Sequence, residues 1–143
     1  MTTYHVTVPA LPIAQPRQRH TQHGRNYVPK SHPIHAFKAA VMAACREHGP
    51  ETTLEGPVWL HVAFSFPRPK SHMGTGRNAG KLKPSAPVRH VQRPDVDNLA
   101  KGVMDAMTQA GVWRDDDQIV RLIVAKAWCD PGEMPGVMIE VKT

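Results

Sequence analysis

Residues 93–118 read RPDVDNLAKGVMDAMTQAGVWRDDDQ. Leu99, Val103, Ala106, Met107 and Ala110 recur at intervals of three and four, which predicts an amphipathic helix over about 97–109. Pro94 cannot continue a helix from upstream, and Ala110-Gly111 is a usual stop. Acids stand on both sides of this helix. Asp95 and Asp97 lie at its start with an amine at Lys101, and Asp115, Asp116 and Asp117 follow its end.

Oxygen-rich clusters of this kind suit a hard divalent cation. Magnesium prefers one or two carboxylates and fills its other positions with water or phosphate oxygen. Taken alone, Asp97 reads first as a helix cap that satisfies free N–H groups of the first turn. Asp97 and Lys101 are four apart and share a helix face, a spacing that an ordinary ion pair worth a few tenths of a kcal/mol also explains. Three successive aspartates repel one another unless solvent or a cation screens them.

Outward from this stretch, residues 119–128 are mostly β-branched or apolar and predict a largely buried strand. Val137, Ile139 and Val141 predict a last, amphipathic strand after the turn at 131–136. Upstream, Val58, Leu60, Val62, Phe64 and Phe66 alternate with Trp59, His61, Ala63 and Ser65, the clearest strand in the chain. Ile34, Phe37, Val41, Met42 and Cys45 predict a helix over about 34–48, and Tyr4, Val6 and Val8 a short first strand. The order β, α, β, α, β, β makes the fold class α/β: one small domain over 1–143, with a mixed sheet and two main helices.

The chain has 143 residues with 41% apolar content, enough for one core and short for two. Its net charge of +6 is divided unevenly: residues 1–94 hold 13 Lys and Arg against 3 acids, and residues 95–143 hold 5 against 9. A basic part beside an acidic one suits a polyanion substrate and a metal site, although excess base also serves solubility. Residues 67–94 contain seven basic residues (Arg68, Lys70, Arg77, Lys81, Lys83, Arg89 and Arg93) and no acid. With few apolar residues, this segment predicts a flexible, DNA-gripping loop. Arg17, Arg19, Arg25 and Lys30, in a Pro- and Gln-rich stretch, form a candidate phosphate-contacting arm. His20 with His23 and His32 with His35 have a spacing used by zinc sites, but no cysteine accompanies them. Cys45 and Cys129 read as reduced thiols, and no apolar run reaches a membrane span, so the expectation is a soluble, cytoplasmic protein with no membrane partner.

HVQRPDVDNLAK (90–101) followed by WRDDDQIV (113–120) resembles the RusA-type Holliday junction resolvases. The likeness extends more weakly through QPRQR, YVP, GPVWLHVAFSFPRPKS and His90, and so covers most of the chain. It implies a RusA-like fold and a magnesium-dependent endodeoxyribonuclease, with Mn2+ able to replace Mg2+. Such an enzyme resolves four-way DNA junctions by paired symmetric incisions in recombination and repair. By the resemblance, Asp95 and Asp97 match the two metal-binding aspartates, Lys101 the catalytic lysine, Asp116 the third essential carboxylate and Asp115 its less certain neighbour. Asp117 departs from the pattern, which more often has Ser or another small residue there. DNA contacts are expected from Arg17, Arg19, Arg68, Lys70, Arg77, Lys81, Lys83, Arg89, His90 and Arg93. Two cuts imply a homodimer. Location on the nucleoid and a phage or prophage origin fit the small size.

A thirteen-residue helix is about 20 Å long, which separates Asp116 from Asp97 unless residues 111–116 return along it. The alternative is that Asp116 serves a second subunit's site. Three other readings stay open. The restriction-type nucleases also begin their motif with Pro-Asp, but have an acid where Leu99 stands. The other two are a basic DNA-binding protein with a structural acidic cluster, and a metal nuclease acting on other branched DNA.

Overall fold

The computed structural model describes residues 1–16, 19, 20, 24 and 26–143, with the backbone alone at 19, 20 and 26. Arg17, His23 and Arg25, and the side chains of Arg19 and His20, lie outside the described residues. In chain order the elements are β1 (Thr3–Val8), β2 (Arg19–His20), β3 (Asn26–Tyr27), α1 (Ile34–His48), β4 (Val58–Phe66), α2 (Val96–Gln109), β5 (Ile119–Trp128) and β6 (Gly136–Lys142). The two-residue strands β2 and β3 pair antiparallel within the stretch expected to be loop.

The main sheet has the order β1-β6-β4-β5. β6 runs antiparallel to both β1 and β4, while β5 is parallel to β4, so the sheet is mixed. Strict alternation in β4 turns Val58, Leu60, Val62, Phe64 and Phe66 to one face, where they are buried with Val6, Val8, Val137, Ile139 and Val141. α1 covers this face with Ile34, Phe37, Val41 and Cys45, and α2 covers it with Leu99, Val103, Ala106 and Met107. Burial of each large side chain in this layer contributes about 1.5–3 kcal/mol. The opposite face of the sheet is open, with Trp59 and Met138 exposed.

β5 corrects an expectation. Its apolar sequence predicted a largely buried strand, yet it is an edge strand, and Val120, Leu122 and Ile123 are exposed. It pairs with β4 alone, and α2 covers only part of it, so composition here does not report burial.

A parallel pair needs a crossover, and the β4-to-β5 connection supplies one containing both the basic segment and α2. The basic segment forms single 3-10 turns at Lys70–His72 and Gly76–Asn78, joined by bridges Met73 to Leu82 and Gly74 to Ala79. Its two histidines, His72 and His90, are buried and fasten it to the end of the sheet, a role that counting apolar residues does not anticipate.

Candidate active site

α2 begins at Val96, so Asp95 occupies the N-cap position and Asp97 lies within the first turn. The carbonyl of Asp95 accepts the first helical hydrogen bond from Leu99 N at 3.1 Å, but its carboxylate makes no capping bond. Asp97 is therefore not the cap, contrary to its reading in isolation. The exposed side chains of Asp97 and Lys101, one turn apart, line a groove whose wall is apolar: Met104 of α2 with Leu122 and Val124 of β5.

Asp116 lines the same groove, because the chain after α2 turns back. Gly111 ends the helix with φ +78, the left-handed conformation that glycine adopts without strain. Trp113 then buries its indole in the core and donates from Nε1 to Thr108 Oγ1 at 2.8 Å. Val112 O accepts from Leu54 N at 2.8 Å, which ties the return to the loop before β4. A 3-10 turn, Asp116–Gln118, follows with a capping box: Asp115 Oδ1 accepts from Asp117 N at 3.1 Å, and Gln118 Oε1 accepts from Asp115 N at 3.4 Å. Gln118 Nε2 donates to Leu54 O (3.0 Å) and Gly56 O (2.9 Å), which seats the turn. Asp97, Lys101 and Asp116 of a single chain thus share a groove, and the distance problem set by helix length is answered by the return loop.

The three successive aspartates have distinct roles. Asp115 is committed to the cap, Asp116 faces the groove and Asp117 is exposed. The N–H of Asp117, and then the side chain of Asp116, hold the Asp115 carboxyl below its usual range. The hydrogen bond with Asp115, reinforced by burial, pushes Asp116 up.

Asp95 opens on the other side of the helix start, into a cavity lined by Gln15, Arg93, Pro94 and Asn98. Gln15 N donates to Asn98 O at 3.0 Å, while Gln15 Oε1 is buried without a hydrogen-bond partner among the described residues. Among the described residues no three His, Cys, Asp or Glu side chains form a closed metal cluster. Asp97 and Asp116 are thus brought together, and Asp95 stands in the neighbouring cavity. This open arrangement suits an ion that keeps water and substrate oxygens among its ligands. His32 and His35, whose spacing zinc sites also use, bond to backbone: His32 Nδ1 accepts from Ile34 N at 3.0 Å and His35 Nε2 bonds Pro29 O at 3.0 Å.

The basic residues divide in two. Lys70, Arg77, Lys81, Lys83, Arg89 and Arg93 are exposed, as a polyanion interface requires. His90 is not available to DNA as placed: it is 7% exposed, stacked on Trp128 with ring centroids 4.0 Å apart, and tilted against Phe66 at 4.7 Å. Arg68 is half-buried; its Nη1 donates to Pro87 O at 2.6 Å, and its guanidinium lies 5.9 Å from the Trp128 ring centre. Both serve to anchor the segment, because Trp128 offers an aromatic face at the sheet end. Sequence reading missed Trp128, Gln118 and Lys126, whose isolated positions carry no spacing signal.

The family model described as Endodeoxyribonuclease RusA matches residues 9–142. An uncharacterized protein, YqaN, of Bacillus subtilis (strain 168) is 32% identical over 136 residues, covering 94% of each chain. The crossover junction endodeoxyribonucleases RusA of Enterobacteria phage 82 and of Escherichia coli (strain K12) are each 30% identical over 126 residues, covering 88% of this chain and 84% of theirs.

Proposed function

The chain belongs to the RusA family of endodeoxyribonucleases, and on that basis we propose that it is a magnesium-dependent enzyme that resolves four-way DNA junctions by paired symmetric cuts in recombination and repair. The observation that supports this reading is the groove that Asp97, Lys101 and Asp116 line together, the residues that the resemblance assigns to the metal and to catalysis.

Asp95 at the N-cap, Asp97 in the first turn and Asp116 would hold the cation, and Asp115 would position Asp116 through the capping turn. Bound there, Mg2+ or Mn2+ would polarise a phosphate oxygen and acidify the attacking water. The free N–H groups at the start of α2 favour an anionic phosphate drawn up to them. Lys101, one turn along the helix and without an ion pair among the described residues, offsets charge developing on the phosphoryl oxygens as water adds to phosphorus and an ester oxygen departs. Exposed Lys70, Arg77, Lys81, Lys83, Arg89 and Arg93 hold the flanking backbone.

Two symmetric cuts require two sites, which a C2 homodimer supplies. The unpaired, apolar outer edge of β5 is a surface that such a dimer would cover. No helix among the described residues is long and apolar enough to cross a membrane. A site of action on cytoplasmic DNA follows from the substrate, and the phage 82 relative supports a phage or prophage origin.

The test is cleavage of a labelled four-way junction beside linear duplex, with magnesium or EDTA, by the native chain, Asp97→Asn and Lys101→Ala. Paired nicks in the junction alone, lost with EDTA and in both variants while junction binding persists, are expected. A junction bound but never cut with magnesium or manganese removes the enzyme reading and leaves a non-catalytic DNA-binding protein.

A further inference from the structure

Lys126 interrupts the apolar run of β5. In the parallel register it lies opposite Phe64, on the helix-covered side of the sheet with Leu122, Val124 and Trp128. It is half-buried, and among the described residues it has no carboxylate partner. A partly buried ammonium without a counter-ion is costly unless its donors are satisfied. Here Nζ donates to the carbonyl oxygens of Gln92 and, at 2.9 Å, Pro94.

Those two carbonyls flank Arg93, and Pro94 immediately precedes Asp95, the first acid of the motif. Arg93 and Asp95 both open onto the cavity that Gln15 and Asn98 also line. The chain entering α2 is fastened to β5 at further points: Trp128 Nε1 donates to Arg89 O at 3.2 Å, and His90 stacks on the same indole. On the other side, Gln15 N holds Asn98 O. An apolar residue at 126 would pack against the core side of β5 but could bond neither carbonyl.

We propose that Lys126 is a positioning residue of the active site: by holding the backbone on both sides of Arg93, it sets where the Asp95 carboxylate and the Arg93 guanidinium stand. This rests on the reading of Asp95 as a cation-binding carboxylate, and it assigns the geometry of that acid to a side chain thirty-one positions further along the chain. Groups that hold a metal-binding side chain in place, without touching the metal, characteristically alter metal affinity by roughly 10–100-fold when removed.

The experiment compares the native chain with Lys126→Met, which keeps an apolar stem, and Lys126→Arg, which keeps donors. It measures Mn2+ binding by calorimetry without DNA, the magnesium concentration for half-maximal junction cleavage, junction binding in EDTA, and thermal melting. Lys126→Met is expected to weaken Mn2+ binding and raise the magnesium midpoint by about 10-fold or more, while still melting cooperatively and binding junction in EDTA. Lys126→Arg is expected to restore both metal readouts. Unchanged Mn2+ affinity and magnesium midpoint in a folded Lys126→Met overturn the inference and leave the resolvase reading intact. If Lys126→Met fails to fold, Lys126→Gln, which also lacks the ammonium, takes its place, and native Mn2+ affinity and magnesium midpoint in that folded variant overturn the inference. Native protein that binds Mn2+ but cuts no junction overturns the proposed function alone, and weakened Mn2+ binding by Lys126→Met then still supports the role of Lys126.

Discussion

His90 sits between Phe66 and Trp128 at the point where the basic segment rejoins the fold. Burial, and then the nearby charge of Lys126, hold its imidazole below the usual range. The unfolded chain therefore takes up a proton that the folded chain resists. Stability falls as pH drops through the unfolded value of about 6.5 and continues to fall until the lower folded value is reached. The melting temperature of the native protein should fall more steeply between neutral and mildly acid pH than that of His90→Phe; parallel curves would count against the assignment. The same residue shows a limit of reading residues by type. A histidine beside arginines in a basic loop suggests a DNA contact, and only the aromatic neighbours brought by β4 and β5 reveal an anchor.

The element that makes the groove is the return from α2 to β5. Trp113 gives it a buried weight, and Gln118 ties its capping turn to Leu54 and Gly56. Replacing Gln118 with Ala leaves two carbonyls and the capping box without their partner, a loss of roughly 1–3 kcal/mol. Because Asp116 heads the same turn, Gln118→Ala should reduce junction cleavage at temperatures where denaturant melts show it fully folded; native cleavage by that variant would show that the turn is held by Trp113 alone. The helices and the central strand themselves are plain in the sequence. The stripe Ile34, Phe37, Val41 and Cys45 marks α1 at its observed bounds, and the alternation from Val58 to Phe66 marks β4. Local periodicity is enough there because each side chain's environment repeats with the backbone's own period. β5 differs: its row of β-branched residues states strand but not place, and an edge and a centre read alike.

At the scale of the whole molecule, the sheet has helices on one side only and a parallel outer strand whose free edge carries Val120, 61% exposed, with Ile123. If a second copy covers this edge, Val120→Lys should shift the protein to monomer in sedimentation equilibrium and convert paired junction cuts to unpaired ones. A dimer undisturbed by that change places the interface elsewhere. The charge asymmetry follows the same connection, since the basic segment and the acidic groove are consecutive parts of one crossover. By itself, the sequence determined the two helices, the chain order of the main strands and the basic-then-acidic division, because these depend on spacing along the chain, and the resemblance singled out Asp95, Asp97, Lys101 and Asp116. Tertiary structure alone decided that Asp97 is not the cap and that Asp116 returns to the same chain's groove. It also decided that Asp95 opens into the adjacent cavity, that His90 is an anchor, and that Lys126 reaches back to residues 92–94. Each of these depends on which distant backbone a side chain meets once β5 has paired with β4, and no local pattern records that pairing.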